Sequence, residues 1–148
     1  MTGRARRAAR PPETAVVEAA RRHLERSGYR VWVDPDGRNY FDLVARRGRE
    51  IGLVEAKVAD GRRVLAQALR RRPWGDWVAV VLASERAARA LGERTRSTRA
   101  APVGVWYLQG EEVSVVREAR PWSSNSATDP FAELRARFAR ILDAIDSG

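Results

Sequence analysis

The spacing of apolar side chains along this chain shifts from helical to alternating to continuous, and each shift marks an element. Val16, Val17, Ala20 and Leu24 recur at three- and four-residue intervals, which predicts a helix over 13–27 stopped by Gly28. Residues 29–33 read as a strand closed by the turn Asp34-Pro35-Asp36-Gly37. Two more strands, 40–45 and 50–58, flank the turn 46–49 and should pair as a hairpin. A helix over 62–72 stops at Pro73, and the nearly unbroken apolar run 77–83 suits a strand buried on both faces. A helix over 85–93 follows, then a hairpin of 103–108 and 113–116 around Gln109-Gly110-Glu111-Glu112. The last helix takes Asp129 as N-cap and Pro130 as its first residue, with a stripe of Phe131, Leu134, Phe138, Ile141, Leu142 and Ile145.

This order predicts an α/β fold: a three-layer αβα sandwich around a mixed central sheet, with an appended C-terminal amphipathic helix. The expected organisation is a basic, disordered tail over 1–12, one domain over 13–120, a serine-rich linker over 121–129 and the helix over 130–146. The apolar stripe of that helix needs cover, which either its own domain or a second copy in a homodimer would give.

Strand phase singles out a group of charged residues. Glu55 and Lys57 project to one face about 7 Å apart, with Leu53 one step deeper, while Val54 and Ala56 take the other face. Asp42 lies on the partner strand. Acids on a sheet apolar on both faces are costly unless they share a cation or a phosphate. The plainer alternative is a Glu55–Lys57 salt bridge at a sheet edge, with Asp42 capping a turn. In the first helix, at about 100° per residue, Glu13 falls at the centre of the buried face, whereas Glu18 and Glu25 fall roughly 120–140° away. Glu13 therefore faces the sheet, either reaching the acidic group or stabilising the helix dipole. His23, at the margin of that face, reads as a packed or half-exposed residue. Gln67 lies on the flank of its helix, where it is as compatible with solvent as with a ligand. Arg62, Arg63, Arg70, Arg71 and Arg72 line the same helix and would suit a phosphate track. Trp32, Trp77 and Trp106 belong to strands and to the core, whereas Trp74 and Trp122 lie in loops from which they could stack on bases.

Composition narrows the chemistry. With no cysteine and a single histidine, disulfides, thiolate sites and multi-histidine zinc sites are excluded, so any metal would be held by oxygen, as magnesium or manganese is. Lysine and arginine number 28 against 19 acids, a formal charge of +9 that favours a polyanionic partner, most simply nucleic acid. A GC-rich coding bias toward arginine and alanine would raise the same charge, so it counts only as support. No apolar run approaches a membrane span and no signal peptide is recognisable, which predicts a cytoplasmic protein.

Glu13-Thr14, Gly28-Tyr29, Asp42, Glu55-Ala56-Lys57 and Gln67-Ala68 occur in an order and at spacings that resemble the PD-(D/E)XK nuclease superfamily, home of restriction endonucleases and Holliday-junction resolvases. Over 13–120 the chain looks most like small, uncharacterised bacterial PD-(D/E)XK phosphodiesterase-like proteins, although Phe41 stands where the motif has proline. The resemblance implies a restriction-endonuclease-like core and a metal-dependent endonuclease or phosphodiesterase acting on DNA. It implies Asp42 and Glu55 as ligands of Mg2+ or Mn2+. Lys57 would orient or deprotonate the attacking water, or stabilise the transition state. Glu13 and Gln67 would complete the site, with Arg62, Arg63, Arg70, Arg71 and Trp74 as the nucleic-acid contacts. The alternatives are a non-catalytic nucleic-acid-binding module on the same fold, or a dimeric structural or interaction protein.

Overall fold

Six strands pair strictly in chain order, β1 (Arg30–Val33), β2 (Leu43–Arg47), β3 (Glu50–Lys57), β4 (Trp77–Leu82), β5 (Gly104–Gln109) and β6 (Glu112–Arg117). The computed structural model describes residues 11–35, 37, 41–58, 61–122 and 131–147. Tyr40, the first ten residues of the basic tail, most of the serine-rich linker, and the Asp129 cap with Pro130 lie outside the described residues. The β3–β4 and β4–β5 pairs are parallel and the other pairs antiparallel, so the sheet is mixed as expected. Both parallel connections cross the sheet in one direction. The right-handed rule then places their helices, α2 (Gly61–Arg71) and α3 (Glu85–Thr95), on the same face.

Side-chain alternation sorts the core into two layers. Val44, Leu53, Val78, Val80 and Val105 pack on one face against Val64 and Ala68 of α2 and Ala88 and Leu91 of α3. Leu43, Val54, Ala56, Ala79 and Val81 pack on the other against Val16, Ala20 and Leu24 of α1 (Glu13–Arg26). The sheet is covered on both sides, which explains why β4 is buried along its whole length. Helix α1 ends in a Schellman motif: Gly28 takes φ of +87°, its N–H reaches the Glu25 carbonyl, and the Tyr29 N–H reaches that of Leu24.

Two hairpins run tighter than the sequence suggests. Arg47 pairs with Glu50 and Gln109 with Glu112, leaving two-residue turns led by Gly48 and Gly110, both at positive φ. Strand β2 also begins three residues later than the expected position 40, at Leu43, so Asp42 precedes the strand rather than lying within it. Gly52 and Trp77 face each other across β3 and β4, and a Cβ on Gly52 would overlap the indole ring. Gly52→Ala should therefore cost roughly 3 kcal/mol or more, read as a lowered urea midpoint. A midpoint like that of the wild type would show that the ring moves aside freely.

Helix α4 (Ala132–Ser147) spends half of its apolar stripe on its own domain. Phe138 and Leu142 are buried against Phe41 and Trp74, and Arg46 pairs with Asp143. Arg135 lies 3.6 Å from Asp76, whose carboxylate also accepts the Ile51 N–H. Phe131, Ile141 and Ile145 stay exposed. Among the described residues no helix is long and apolar enough to cross a membrane.

Candidate active site

The cleft opens where β3 outruns β2. Leu43, the first residue of β2, pairs with Val54, so Glu55, Ala56 and Lys57 extend past the ladder on that side. Asp42 fills the gap with its side chain: its Oδ2 accepts the Ala56 N–H at 2.8 Å, the donor that a longer β2 would have paired through its backbone. One step beyond the Leu43–Val54 pair, Asp42 stands opposite Glu55. A cleft of about 640 Å³ forms there, lined by Glu13, Glu18, Asp34, Asp42, Glu55, Lys57, Gln67 and Arg71 among others. It holds five carboxylates against two cations, in a chain whose overall charge is +9.

Glu55 is the unusual member. It is 3% exposed, and its Oε1 has no hydrogen-bond partner among the described residues, with Arg71 Nε at 3.5 Å as its cationic neighbour. Burial, then the charge of Asp42 and a hydrogen bond with it, push the Glu55 carboxyl up to about 8, against the opposing pull of Arg71 and Lys57. At neutral pH such a carboxyl keeps its proton unless another cation replaces it.

Lys57 leaves β3 with the phase of Glu55, yet its Nζ lies 3.4 Å from Glu13 Oε1 on the helix that covers the opposite face. The ammonium reaches around the end of the sheet to Glu13, which lines the cleft while staying nearly half exposed, and Glu18, whose helical phase points away from the sheet, lines the cleft as well. Gln67 also lines the cleft, with a buried Oε1 that no described residue bonds. Asp42, Glu55, Lys57, Glu13 and Gln67 thus share one cleft.

The arginines divide. Arg71 enters the cleft, its guanidinium 5.8 Å from the Phe41 ring as well as beside Glu55. Its position was readable: Val64, Gln67 and Arg71 follow one another at i, i+3 and i+7, which is one stripe of α2. Arg62, Arg63 and Arg70 are exposed and do not line the cleft. Trp74 and Trp122, expected as loop residues able to stack on bases, both pack against side chains of the domain. Trp74 sits edge-on to Phe41 and Phe138, with ring centroids 5.9 Å away in each case. Trp122 is buried beneath the Arg72 guanidinium, 4.0 Å from its ring. Both rings are occupied by the domain's own side chains, Trp74 with help from α4. His23 is half-buried against Trp106, as its marginal phase suggests.

Asp34, which the sequence assigns only to a turn, lines the cleft. It has φ of +43°, the sole positive φ outside glycine among the described residues, and its N–H donates to the Asp42 carbonyl at 3.0 Å. The turn thereby fixes the backbone of Asp42. Aspartate tolerates this region better than most side chains, which suits it to the position.

No family model matches the sequence, and no curated protein matches it. Among solved structures the chain is similar to SPO1766, a protein of unknown function from Silicibacter pomeroyi. That likeness covers 92% of each chain at a TM-score of 0.55 and 19% sequence identity. It establishes the fold over nearly the whole length and leaves the chemistry to the residues of the cleft.

Proposed function

We propose that this protein is a divalent-metal-dependent nuclease that hydrolyses phosphodiester bonds in DNA, of the PD-(D/E)XK type. The observation that carries the reading is a buried Glu55 with an unpartnered oxygen, set against Asp42 in a cleft rich in acid. Two adjacent carboxylates, one of them buried, are what a cation would relieve. Among the described residues no group of three or more acids or imidazoles is placed to hold a metal ion, so the reading rests on the Asp42–Glu55 pair. Magnesium and manganese can bind through one or two carboxylates and keep places for water and phosphate oxygens. Asp42 and Glu55 would hold the ion, which supplies Lewis acidity to the phosphate and activates water.

The chain's own groups divide the remaining work. Lys57 offers an ammonium beside the carboxylates to orient the attacking water and to stabilise charge on the phosphate oxygens. Glu13 holds that ammonium in the cleft, and Arg71 neutralises part of the negative field behind Glu55. Gln67 offers an amide to the substrate.

The test is cleavage of duplex, flapped, four-way and single-stranded DNA with magnesium or manganese, beside calorimetry of manganese binding. Activity should require the metal and vanish with chelator. A protein that binds no divalent ion and cuts nothing on this panel is a nucleic-acid-binding module instead.

A further inference from the structure

The flank of α2 turned away from the cleft borders a second groove, of about 360 Å³, between α2 and α3. Its walls carry Arg62, Arg94 and Arg99 over an apolar floor that includes Leu65, Leu69 and Leu91. All three arginines are exposed, and none has an acidic partner among the described residues. Other arginines of the same region are neutralised locally: Arg89 pairs with Glu85 at 2.7 Å and Arg96 with Glu93 at 3.5 Å. Three cations without an acidic partner among the described residues thus stand around one groove, an arrangement that a polyanion relieves.

The floor narrows the choice of polyanion. A duplex presents phosphates and sugars outward and keeps its bases stacked, so it has little use for the part-exposed Leu65 and Leu69 between phosphate contacts. An unpaired strand can turn sugars and base faces onto an apolar floor while its phosphates meet the arginines at the rim. Gln67 and Arg71 line the acidic cleft from one flank of α2, and Arg62, Leu65 and Leu69 line the groove from the other. The two sites are therefore separated by about the 10–12 Å diameter of one helix.

We infer that the Arg62–Arg94–Arg99 groove binds a single-stranded stretch of nucleic acid through its phosphates. This rests on the nuclease reading only in making that stretch the flank of the bond that is cut. The affinity of labelled oligothymidylate, and of a duplex of equal length, should be measured by fluorescence anisotropy across a salt series. The protein variants are the wild type, the triple variant R62A/R94A/R99A, and the control triple R86A/R89A/R96A, which removes the same charge from exposed sites on and just beyond α3. On the single strand the groove variant should lose affinity by about 10- to 100-fold, with a log–log salt slope shallower by about 2, at roughly 0.7 per phosphate contact. The control should change the slope by much less. Manganese binding and hydrolysis of bis(p-nitrophenyl) phosphate should match the wild type in both. An unchanged slope in the groove variant, or an equal change in the control, overturns the inference, and tighter binding of the duplex than of the single strand overturns its single-stranded part. A wild type without hydrolysis, whose strand binding still depends on the three arginines, would retire the nuclease reading and leave the groove standing.

Discussion

Glu55→Gln should abolish cleavage and manganese binding while making the metal-free protein more stable at pH 8 than the wild type. Loss of a charged ligand from a preorganised site costs at least roughly 10²–10³-fold in turnover. The gain in stability follows from the carboxyl that burial and Asp42 push up to about 8. In the unfolded chain a glutamate ionises near 4.5, so between these values the native state holds a proton that the unfolded state has released. Wild-type stability therefore falls as pH rises through this window, and the full penalty is in place above pH 8. At about 1.4 kcal/mol per unit it is on the order of 4 kcal/mol, or roughly 10 °C in melting temperature for a chain of this size. Glutamine keeps the shape without the charge and escapes the penalty. Melts in chelator should thus coincide near pH 4.5 and diverge by pH 8.

The same linkage fixes how metal affinity varies with pH. A cation entering beside Asp42 displaces the Glu55 proton, so wild-type manganese affinity should rise by up to about tenfold per pH unit until pH 8 and then level off. Calorimetry in buffers of different ionisation enthalpy would count the released proton directly. Affinity flat from pH 6 to 8, or coincident melts of the two proteins at pH 8, would show that Glu55 is already ionised in the metal-free state.

The fold was legible where local rules decide it. Helix α1 and its glycine stop, the buried run of β4 and the existence of the two hairpins, though not their two-residue turns, follow from periodicity and turn chemistry. What escaped depends on partners distant in sequence. The start of β2 shifts because the Asp42 carboxylate, rather than a backbone carbonyl, takes the Ala56 N–H, and the alternation of the strand carries no sign of that exchange. Trp74 looks like a loop residue until α4 brings Phe138 onto it.

The site was legible to a similar depth. The shared phase of Glu55 and Lys57 identifies side chains that meet in one cleft, whereas helical phase alone does not separate Glu13 from Glu18, since both line it. Arg71 could have been separated from its neighbours by its seven-residue interval from Val64. Asp34 could not, because a turn signal such as Asp-Pro-Asp-Gly accounts for an aspartate completely at the level of sequence. Only the folded chain shows that its N–H positions Asp42.

Lys57→Ala should bind manganese as the wild type does and still lose cleavage by roughly 10²–10³-fold, because its ammonium acts on water or phosphate and not as a ligand. Glu13→Gln should do less. Its ion pair with Lys57, at 3.4 Å between half-exposed side chains, contributes little to stability, so the variant should fold normally. What it removes is the anchor that holds the ammonium in the cleft, and kcat should fall by about tenfold with KM nearly unchanged. If Glu13 acts only through Lys57, the double variant should be no slower than Lys57→Ala alone, a departure from additivity expected of groups that work as a unit. A double variant that is a further tenfold slower would mean that Glu13 meets the substrate or metal itself. Loss of manganese binding in Lys57→Ala would instead show that the lysine shapes the carboxylate pair, and cleavage within a few-fold of wild type would remove it from the chemistry.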